Sequence, residues 1–383
     1  MIYFDNAATT WPKPKEVYKS MERCMKEAGA NPGRSGHQMA IKAAKIIYNT
    51  REALANLFGI KDSKNIVFTL NATDALNIGI KGLLKEGDHV IATSMEHNSV
   101  IRPLTYLSQN NFISTTIVNC NNQGVLNTSD IKNAIKKNTK LIVATHASNV
   151  TGNLMPIQEI GKIAKENNII FMVDAAQTAG ICDISVEKQN IDLLAFTGHK
   201  SLFGPQGTGG LCIREGLEIE SLRQGGTGSS SESENHPSFL PDKFESGTPN
   251  TVGLAGLGAG VEFIQKKGLK YIFEYKKDLT NYLIEKLNEI EEIILYGSFS
   301  KDSQIPVVSF NINGIESSEA SYILDQVFNI MSRPGLHCAP YAHKTIKTFP
   351  SGTIRFSLGY FNTKEEVDIS VQAIKHIIGE KKR

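Results

Sequence analysis

The sequence predicts an α/β protein built on a mainly parallel seven-stranded sheet with helices on both faces, followed by a smaller α+β lobe. Between about residues 40 and 215, seven apolar runs of strand length alternate with segments of helical period. The runs are apolar throughout, which is typical of strands buried on both faces of a sheet. The C-terminal third mixes short strands with helices and predicts the smaller lobe.

The predicted elements follow one another in a regular order. The seven strands are predicted at 65–70, 89–92, 115–118, 141–144, 169–173, 193–196 and 210–213. Helices are predicted between them, including 74–84, which Thr73 opens, and 156–166. Residues 225–237 are rich in Gly, Ser and Glu and predict a mobile loop, either a linker or a flap over a site.

The remaining elements define the smaller lobe. Helical segments are predicted through 253–292, and then strands at 306–310 and 352–357 with helices at 319–327 and 364–377. Ligands of a parallel sheet bind beyond the carboxyl ends of its strands. Candidate site residues are therefore expected where the strands end.

Composition excludes several classes of function. Lys+Arg minus Asp+Glu is 41 − 39 = +2, so no strong field favours nucleic acid or an anionic membrane. The apolar runs are too short to span a bilayer, and the first residues do not resemble a signal peptide. We expect a cytoplasmic protein that binds neither nucleic acid nor membrane.

The five cysteines are scattered and never spaced C-x-x-C, which indicates neither a disulfide framework nor a four-cysteine zinc site. Cys338 differs from the others because it lies in a turn-rich stretch, 333–341, with Arg333 and His337 nearby. A thiol in that setting can be accessible and partly ionised.

Common nucleotide, protease and hydrolase motifs are missing from the sequence. It contains no G-x-G-x-x-G after a strand, no G-x-x-x-x-G-K-[ST], no H-E-x-x-H and no G-x-S-x-G. This argues against dinucleotide-binding, P-loop, zincin and α/β-hydrolase functions.

Two polar residues at the ends of successive predicted strands point to pyridoxal phosphate. Asp174 closes the strand at 169–173, and Lys200 follows the strand at 193–196. The cofactor needs a lysine for its aldehyde and an acid for its ring nitrogen. It also needs a phosphate cradle, which the turn at 71–77 with Thr73 would supply. The alternatives are a helix N-cap for Asp174 or Thr73 and a surface position for Lys200.

The residues also resemble a known family. Ten segments occur in the order found in the class V aminotransferase family of fold-type I pyridoxal phosphate enzymes, and most closely in its cysteine desulfurase and selenocysteine lyase branch. The segments are 3–10, 31–37, 72–77, 96–99, 148–152, 174–177, 197–200, 244–250, 335–340 and 353–357.

The resemblance implies a cofactor site. Lys200 would join the cofactor aldehyde, Asp174 would contact the ring nitrogen, Gln177 the phenolic oxygen, and His97 would stack on the ring. The residues implied at the phosphate are Ala72, Thr73, Thr197 and His199, together with Gly247 of the partner subunit and Thr248 of the partner subunit. A homodimer with shared active sites is therefore implied.

The resemblance also implies a substrate site and a reaction. Asn149 and Arg355 would hold the substrate carboxylate, and Arg333 would also contact the substrate. Cys338 would take sulfur from L-cysteine as a persulfide and leave L-alanine, for transfer to an acceptor protein in iron–sulfur cluster assembly or elsewhere. Arg333 and His337 would favour the thiolate, on a compact loop of the group II type.

Several alternatives remain open from sequence. Selenocysteine lyase or another class V reaction would use the same cofactor site, and L-selenocysteine is the substrate of the former. A protein of a different class would use His337, Cys338 and His343 as zinc ligands. The motif positions predict a large cofactor domain at 13–255, with 1–12 and 256–383 forming the small domain. Thr197 and Leu336 replace residues that are frequent in group II members.

Overall fold

A computed structural model gives the structure of residues 1–33, 35–300 and 303–381. Arg34, within the 31–37 segment, lies outside the described residues. The strands are β1 Ile2–Tyr3, β2 Ile66–Thr69, β3 Asp88–Thr93, β4 Ile113–Val118, β5 Thr139–Thr145, β6 Ile170–Asp174, β7 Leu193–Thr197, β8 Gly209–Ile213, β9 Ile293–Tyr296, β10 Val307–Ile312, β11 Ile330–Met331, β12 Arg333–Gly335 and β13 Thr353–Ser357. The α-helices are α1 Lys15–Glu27, α2 Gln38–Phe58, α3 Ala72–Leu83, α4 Asn98–Gln109, α5 Thr128–Asn133, α6 Ile157–Glu166, α7 Thr251–Lys267, α8 Leu269–Asn288, α9 Ser317–Phe328, α10 Pro340–Thr345 and α11 Lys364–Lys381.

Seven strands form one large sheet in the order β2, β8, β7, β6, β5, β3, β4. The strands from β7 to β4 are mutually parallel, and β8 runs antiparallel to both of its neighbours. Two antiparallel steps return β2 to the common direction, so β8 alone is reversed in this sheet. The predicted mainly parallel seven-stranded sheet is confirmed, and each of the seven strands predicted for it overlaps one of β2 to β8.

The large sheet is buried on both faces because alternate side chains enter different apolar clusters. In β6, Phe171 and Val173 join one cluster, whereas Met172 joins the other. Helices α2, α6 and α7 contribute to the first cluster, and α3 and α4 contribute to the second. Burial on both faces explains why the central strands β6, β7 and β8 are apolar up to their last residue.

A second, antiparallel sheet has the order β12, β13, β10, β9. Helices α8, α9 and α11 pack on it around a separate apolar cluster that also holds Phe4. We propose that residues 1–12 and 256–383 form the small domain and residues 13–255 the large one. Helix α7 crosses this boundary, and its residues Leu257 and Val261 pack in the large-sheet cluster.

The start of the chain departs from the sequence prediction. Helices α1 and α2 are not among the predicted elements. The pattern of α2 is blurred because Met39, Ile41 and Tyr48 are apolar yet exposed, so this helix lacks a single apolar stripe. No helix of the described ranges is both long and apolar enough to cross a membrane.

The residue that caps α3 also differs from the prediction. Asn71 is the N-cap, and its Oδ1 accepts the Asp74 N–H at 3.0 Å. The prediction that Thr73 opens this helix is wrong, because the asparagine two residues earlier satisfies the free amide. The Thr73 hydroxyl instead lies 2.7 Å from Ser99 Oγ.

A buried ion pair ties the segment before Gly247 to the large domain. Arg51 Nη1 and Nη2 donate to Glu245 Oε1 and Oε2 at 2.7 and 2.9 Å, and the two side chains are 7% and 16% exposed. Glu245 Oε1 also accepts the Phe68 N–H at 2.7 Å. The paired geometry fixes the backbone two residues before Gly247.

Replacing Arg51 by Met should lower the free energy of unfolding by about 3 kcal/mol, because Glu245 would remain buried without its cation. Urea unfolding followed by circular dichroism measures the change. Lys61→Met is the control, since Lys61 is 84% exposed in its pair with Glu187 and such pairs contribute about 1 kcal/mol or less. Equal destabilisation by both substitutions would contradict the importance of the buried pair.

Candidate active site

Polar side chains follow four strands at one edge of the large sheet. His97 lies shortly after β3, Asn149 after β5, Asp174 at the end of β6 and Lys200 just after β7. These strands are parallel, so their carboxyl ends meet at the same edge. The apolar core of the large sheet lies next to these polar side chains and shields them from water.

A cavity lies at this edge. The predicted site residues that line it are Ala72, Thr73, His97, Asn149, Asp174, Gln177, Thr197, His199 and Lys200. The predicted residues outside its lining are Gly247, Thr248, Arg333, Cys338 and Arg355. The structure therefore gathers the predicted cofactor residues of one subunit and places the predicted sulfur and carboxylate residues beside them.

Asp174 and Lys200 are an acidic and a basic side chain that are both shielded from water. Asp174 is 4% exposed, and its Oδ1 accepts the Ala176 N–H at 2.9 Å. Burial raises the pKa of the Asp174 carboxyl, and the Ala176 bond and the Lys200 charge oppose that rise. Burial lowers the pKa of Lys200 to about 8, against the effect of Asp174. Lys200 is thus about half free amine near pH 8.

His97 is the N-cap of α4 and is neutral. Its Nδ1 accepts the Ser99 N–H at 3.1 Å, which leaves the proton of the neutral ring on Nε2. Burial, followed by the positive charges of Lys200 and Arg333, lowers the pKa of His97 to about 4. The ring therefore offers an uncharged donor at pH 7.

The start of α3 forms an anion cradle beside the cavity. Free amides at a helix start favour negative charge, and the Thr73 and Ser99 hydroxyls lie next to them. Gly209 of β8 allows this close approach, because a Cβ there would lie 2.7 Å from Asn71 Cα. His199 Nδ1 is buried and has no hydrogen-bond partner among the described residues.

Gly247 and Thr248 are exposed and lie apart from this chain's cavity lining. The Gly247 N–H donates to Gly226 O at 2.8 Å, and Asn31 Nδ2 donates to Thr248 Oγ1 at 3.4 Å. These bonds give the pair a defined position on the surface. The stretch at 225–237, predicted as a linker or flap, has no helix or strand and also lies outside the cavity lining.

Arg355 is 1% exposed and already has an anionic partner. Its Nη2 donates to Asp5 Oδ1 at 2.8 Å, and its Nη1 donates to Asn149 O at 3.1 Å. Its Nε is buried and without a partner among the described residues. The predicted carboxylate-binding pair, Asn149 and Arg355, is thus held together, with one guanidinium donor still unused.

Cys338 lies on a compact loop between β12 and α10. His337 and Cys338 both have left-handed backbone, with φ of 49° and 59°, and two bonds hold them there. Asn149 Nδ2 donates to His337 O at 2.7 Å, and the Asn98 N–H donates to Cys338 O at 2.8 Å. The exposed Cys338 Sγ lies 3.8 Å from Arg333 Nη2.

The loop overturns two predictions for His337. Its Nε2 bonds the Thr353 hydroxyl at 3.1 Å, and burial holds its pKa well below the ordinary value, so it supplies no charge to the thiol. The zinc-site alternative is wrong as well. His343 Nδ1 bonds the Thr348 hydroxyl at 2.7 Å, and within the described residues no three metal-binding side chains come together.

The chain matches the aminotransferase class-V family model over residues 2–369. It belongs to the aminotransferase class-V family. A probable cysteine desulfurase of Methanothermobacter thermautotrophicus is 33% identical over 384 residues, covering 99% of this chain and 95% of the relative. The cysteine desulfurase IscS of Dictyoglomus turgidum is 32% identical over 392 residues, covering 98% and 94%.

A solved structure supports the same placement. The apo cysteine desulfurase of Thermococcus onnurineus NA1 has a TM-score of 0.93 to this chain at 34% identity, covering 99% of this chain and 95% of that one. The predicted fold-type I architecture is therefore confirmed.

Class V aminotransferases depend on pyridoxal phosphate, and the cavity fits this cofactor. The buried Asp174 carboxylate forms no ion pair with any described residue, so a protonated ring nitrogen would supply its missing partner. Lys200 offers an amine for the aldehyde, and the cradle at α3 offers donors for the phosphate. One cavity thus contains an acid for the ring nitrogen, an amine for the aldehyde and a binding site for the phosphate.

Three further residues belong to this site although the sequence prediction assigned them no role. Thr145 and Ser99 line the cavity, and Glu96 lies fully buried beside them. Glu96 Oε1 accepts the Thr93 hydroxyl at 2.6 Å and the Thr145 N–H at 3.0 Å. Burial raises the pKa of Glu96 to about 8, so it is neutral at pH 7. Its position after β3 was the available signal.

Capture of pyridoxal phosphate by the apoenzyme should become faster as the pH rises through about 8 and then level off. Lys200 attacks as the free amine, and its pKa is lowered to about 8. Stopped-flow absorbance measures the rate. Asp174→Asn should shift the midpoint to lower pH, because the Asp174 charge raises the pKa of Lys200. A rate that falls with rising pH would sink this assignment.

Proposed function

We propose that this protein is a pyridoxal-phosphate-dependent cysteine desulfurase that converts L-cysteine to L-alanine and carries the sulfur as a persulfide on Cys338. Relatives and a solved structure named for this activity match nearly the whole chain. The observation that carries the residue assignment is the exposed Cys338 thiol beside Arg333, on a loop bonded to cavity residue Asn149.

The cavity residues would divide the work of binding and proton transfer. Bound pyridoxal phosphate supplies an electron sink for the carbon next to the substrate amino group. Asp174 would hold the ring nitrogen, Gln177 the phenolic oxygen and His97 the ring face. Lys200 Nζ, with its lowered pKa, would move the proton at the substrate Cα.

Asn149 and Arg355 would bind the substrate carboxylate. The bond from Arg355 Nη1 to the Asn149 backbone oxygen holds the two residues together. Asn149 Nδ2 is fixed by its bond to His337 O, and Arg355 Nε has no partner among the described residues. A charged, planar guanidinium suits a carboxylate because it can donate two parallel hydrogen bonds. Arg333 would lie between the substrate and the thiol, since it stands opposite Arg355 in the β12–β13 ladder.

Cys338 would act as the nucleophile toward the substrate sulfur. Its thiolate attacks that sulfur, so a sulfur–sulfur bond forms while the carbon–sulfur bond breaks and its electron pair stays with the substrate. The carbon then takes a proton, which yields alanine. The Arg333 guanidinium favours the thiolate over the thiol through its positive charge. The exposure of Cys338 suits delivery to a thiol-bearing acceptor, such as one serving iron–sulfur cluster assembly.

Cys338→Ser should reduce formation of alanine and sulfide from L-cysteine by about 100-fold or more. The reason is that the serine hydroxyl, unlike the Cys338 thiolate, does not attack the substrate sulfur. The assay measures both products with dithiothreitol present, and they should form in equal amounts. Cys182→Ser is the control, since Cys182 lies outside the cavity lining.

The same variants should be assayed with L-selenocysteine. A parent enzyme that prefers selenocysteine, together with a Cys338→Ser variant that keeps its activity on it, would identify a selenocysteine lyase instead. Full retention of cysteine activity by Cys338→Ser would exclude the persulfide on this residue.

The phosphate site is proposed to be shared between two copies of the chain. Ala72, Thr73, Thr197 and His199 would bind the phosphate from one subunit, joined by Gly247 of the partner subunit and Thr248 of the partner subunit. Support comes from the exposed, ordered position of these two residues outside their own cavity. Exposed apolar side chains on α1 and α2, namely Met25, Met39, Ile41 and Tyr48, would supply the interface.

Mixed dimers test this arrangement. Lys200→Ala and Thr248→Val chains should each be weakly active alone, but mixing them after dissociation should restore about a quarter of parental activity, because half of the dimers are mixed and each contains one intact site. Lys200→Ala mixed with Asp174→Asn is the negative control, because both residues line the same chain's cavity and no mixed dimer of these two variants contains an intact site. No recovery on mixing would place Thr248 in its own chain's site or in none.

A further inference from the structure

The N-terminal strap, residues 5–13, connects the small-domain sheet to the cofactor cavity. Asp5 bonds Arg355 of β13 at 2.8 Å. Two residues later, Gln177 Nε2 donates to Ala7 O at 3.1 Å. The strap therefore touches both the predicted carboxylate-binding residue and the cavity lining before it reaches α1.

Three donors of this strap meet at one carbonyl oxygen. His199 O accepts the Thr10 N–H at 3.0 Å, the Thr9 hydroxyl at 3.2 Å and Lys13 Nζ at 3.1 Å. A carbonyl oxygen has two lone pairs, so its accepting capacity is fully used. This carbonyl belongs to the peptide bond that joins His199 to Lys200.

Lys13 is the charged member of the three. Its Nζ also donates to Thr10 O at 2.9 Å, and it forms no ion pair with an acidic residue in the described part of the chain. Burial lowers its pKa to about 8. A partly buried ammonium bonded only to carbonyls costs free energy that a surface lysine would not. Pro12 and Pro14 restrict the backbone on either side.

We propose that Lys13 is a positioning residue for Lys200. Its ammonium group holds the His199 carbonyl in place through a hydrogen bond and thereby fixes the backbone position from which Lys200 reaches the cofactor aldehyde. This inference rests on the proposed role of Lys200. Capture joins Lys200 Nζ to the aldehyde carbon and releases one water, so it needs no further reactant. A displaced amine loses reaction rate, whereas non-covalent binding of the cofactor depends on the ring and phosphate contacts.

Lys13→Met separates these two effects, because methionine keeps much of the side-chain length without the N–H donors. Capture of pyridoxal phosphate by the apo variant, followed by visible absorbance, should slow about tenfold. Pyridoxine 5′-phosphate, which lacks the aldehyde, should bind with the parental Kd in a fluorescence titration. Lys13→Arg should recover most of the capture rate, and Lys15→Met, at an exposed position, should change neither quantity.

Parental capture by Lys13→Met, or an equal loss of capture and analogue binding, would overturn the inference. If that variant does not fold, Thr9→Val removes another donor to the same carbonyl and should slow capture about twofold with unchanged analogue binding; unchanged capture there would also overturn it. A parent that captures no better than Lys200→Ala would refute the role of Lys200 instead, which is a distinguishable result.

Discussion

The exclusion of water from the ends of β6 and β7 is the constraint on which the rest of the site depends. These adjacent strands place Asp174 opposite Ala195 in the ladder, and both strands are buried along their full length. The apolar residues that hold the sheet together therefore also lower the local dielectric around the ionisable groups beyond it. Stability of the core and reactivity of Lys200 have one physical origin.

Exclusion of water from this edge of the sheet also determines which side chains are charged. Burial lowers the pKa of His97 and His199 to about 4 and raises that of Glu96 to about 8, so all three are neutral at pH 7. Among the residues that line the cavity, Asp174 is the acidic side chain available to a positive ring nitrogen. A small number of charges, well separated, suits a zwitterionic amino acid better than a strongly charged surface would.

The sequence was sufficient for the sheet and for the two residues that suggest the cofactor. All seven strands, Asp174 and Lys200 follow from apolar runs and their ends, because period and strand direction are local properties. Side-chain direction is not local. The sequence prediction therefore named Thr73 as the residue that opens α3, expected His337 to favour the thiolate, and left Glu96 without a role.

Helix α2 was not predicted for a related reason. Its exposed apolar residues blur the helical pattern, and a single sequence does not distinguish a surface that faces water from one that faces another protein.

The Asp5–Arg355 pair joins residues 350 positions apart. It therefore forms late when the chain folds during its synthesis. The segment that contains Asp174 and Lys200 leaves the ribosome well before β13 does, because synthesis runs from the N-terminus. A nascent chain would thus possess its lysine and its acid while Arg355, the residue proposed to bind the substrate carboxylate, is still missing. The proposed site would be complete only after Arg355 has been translated.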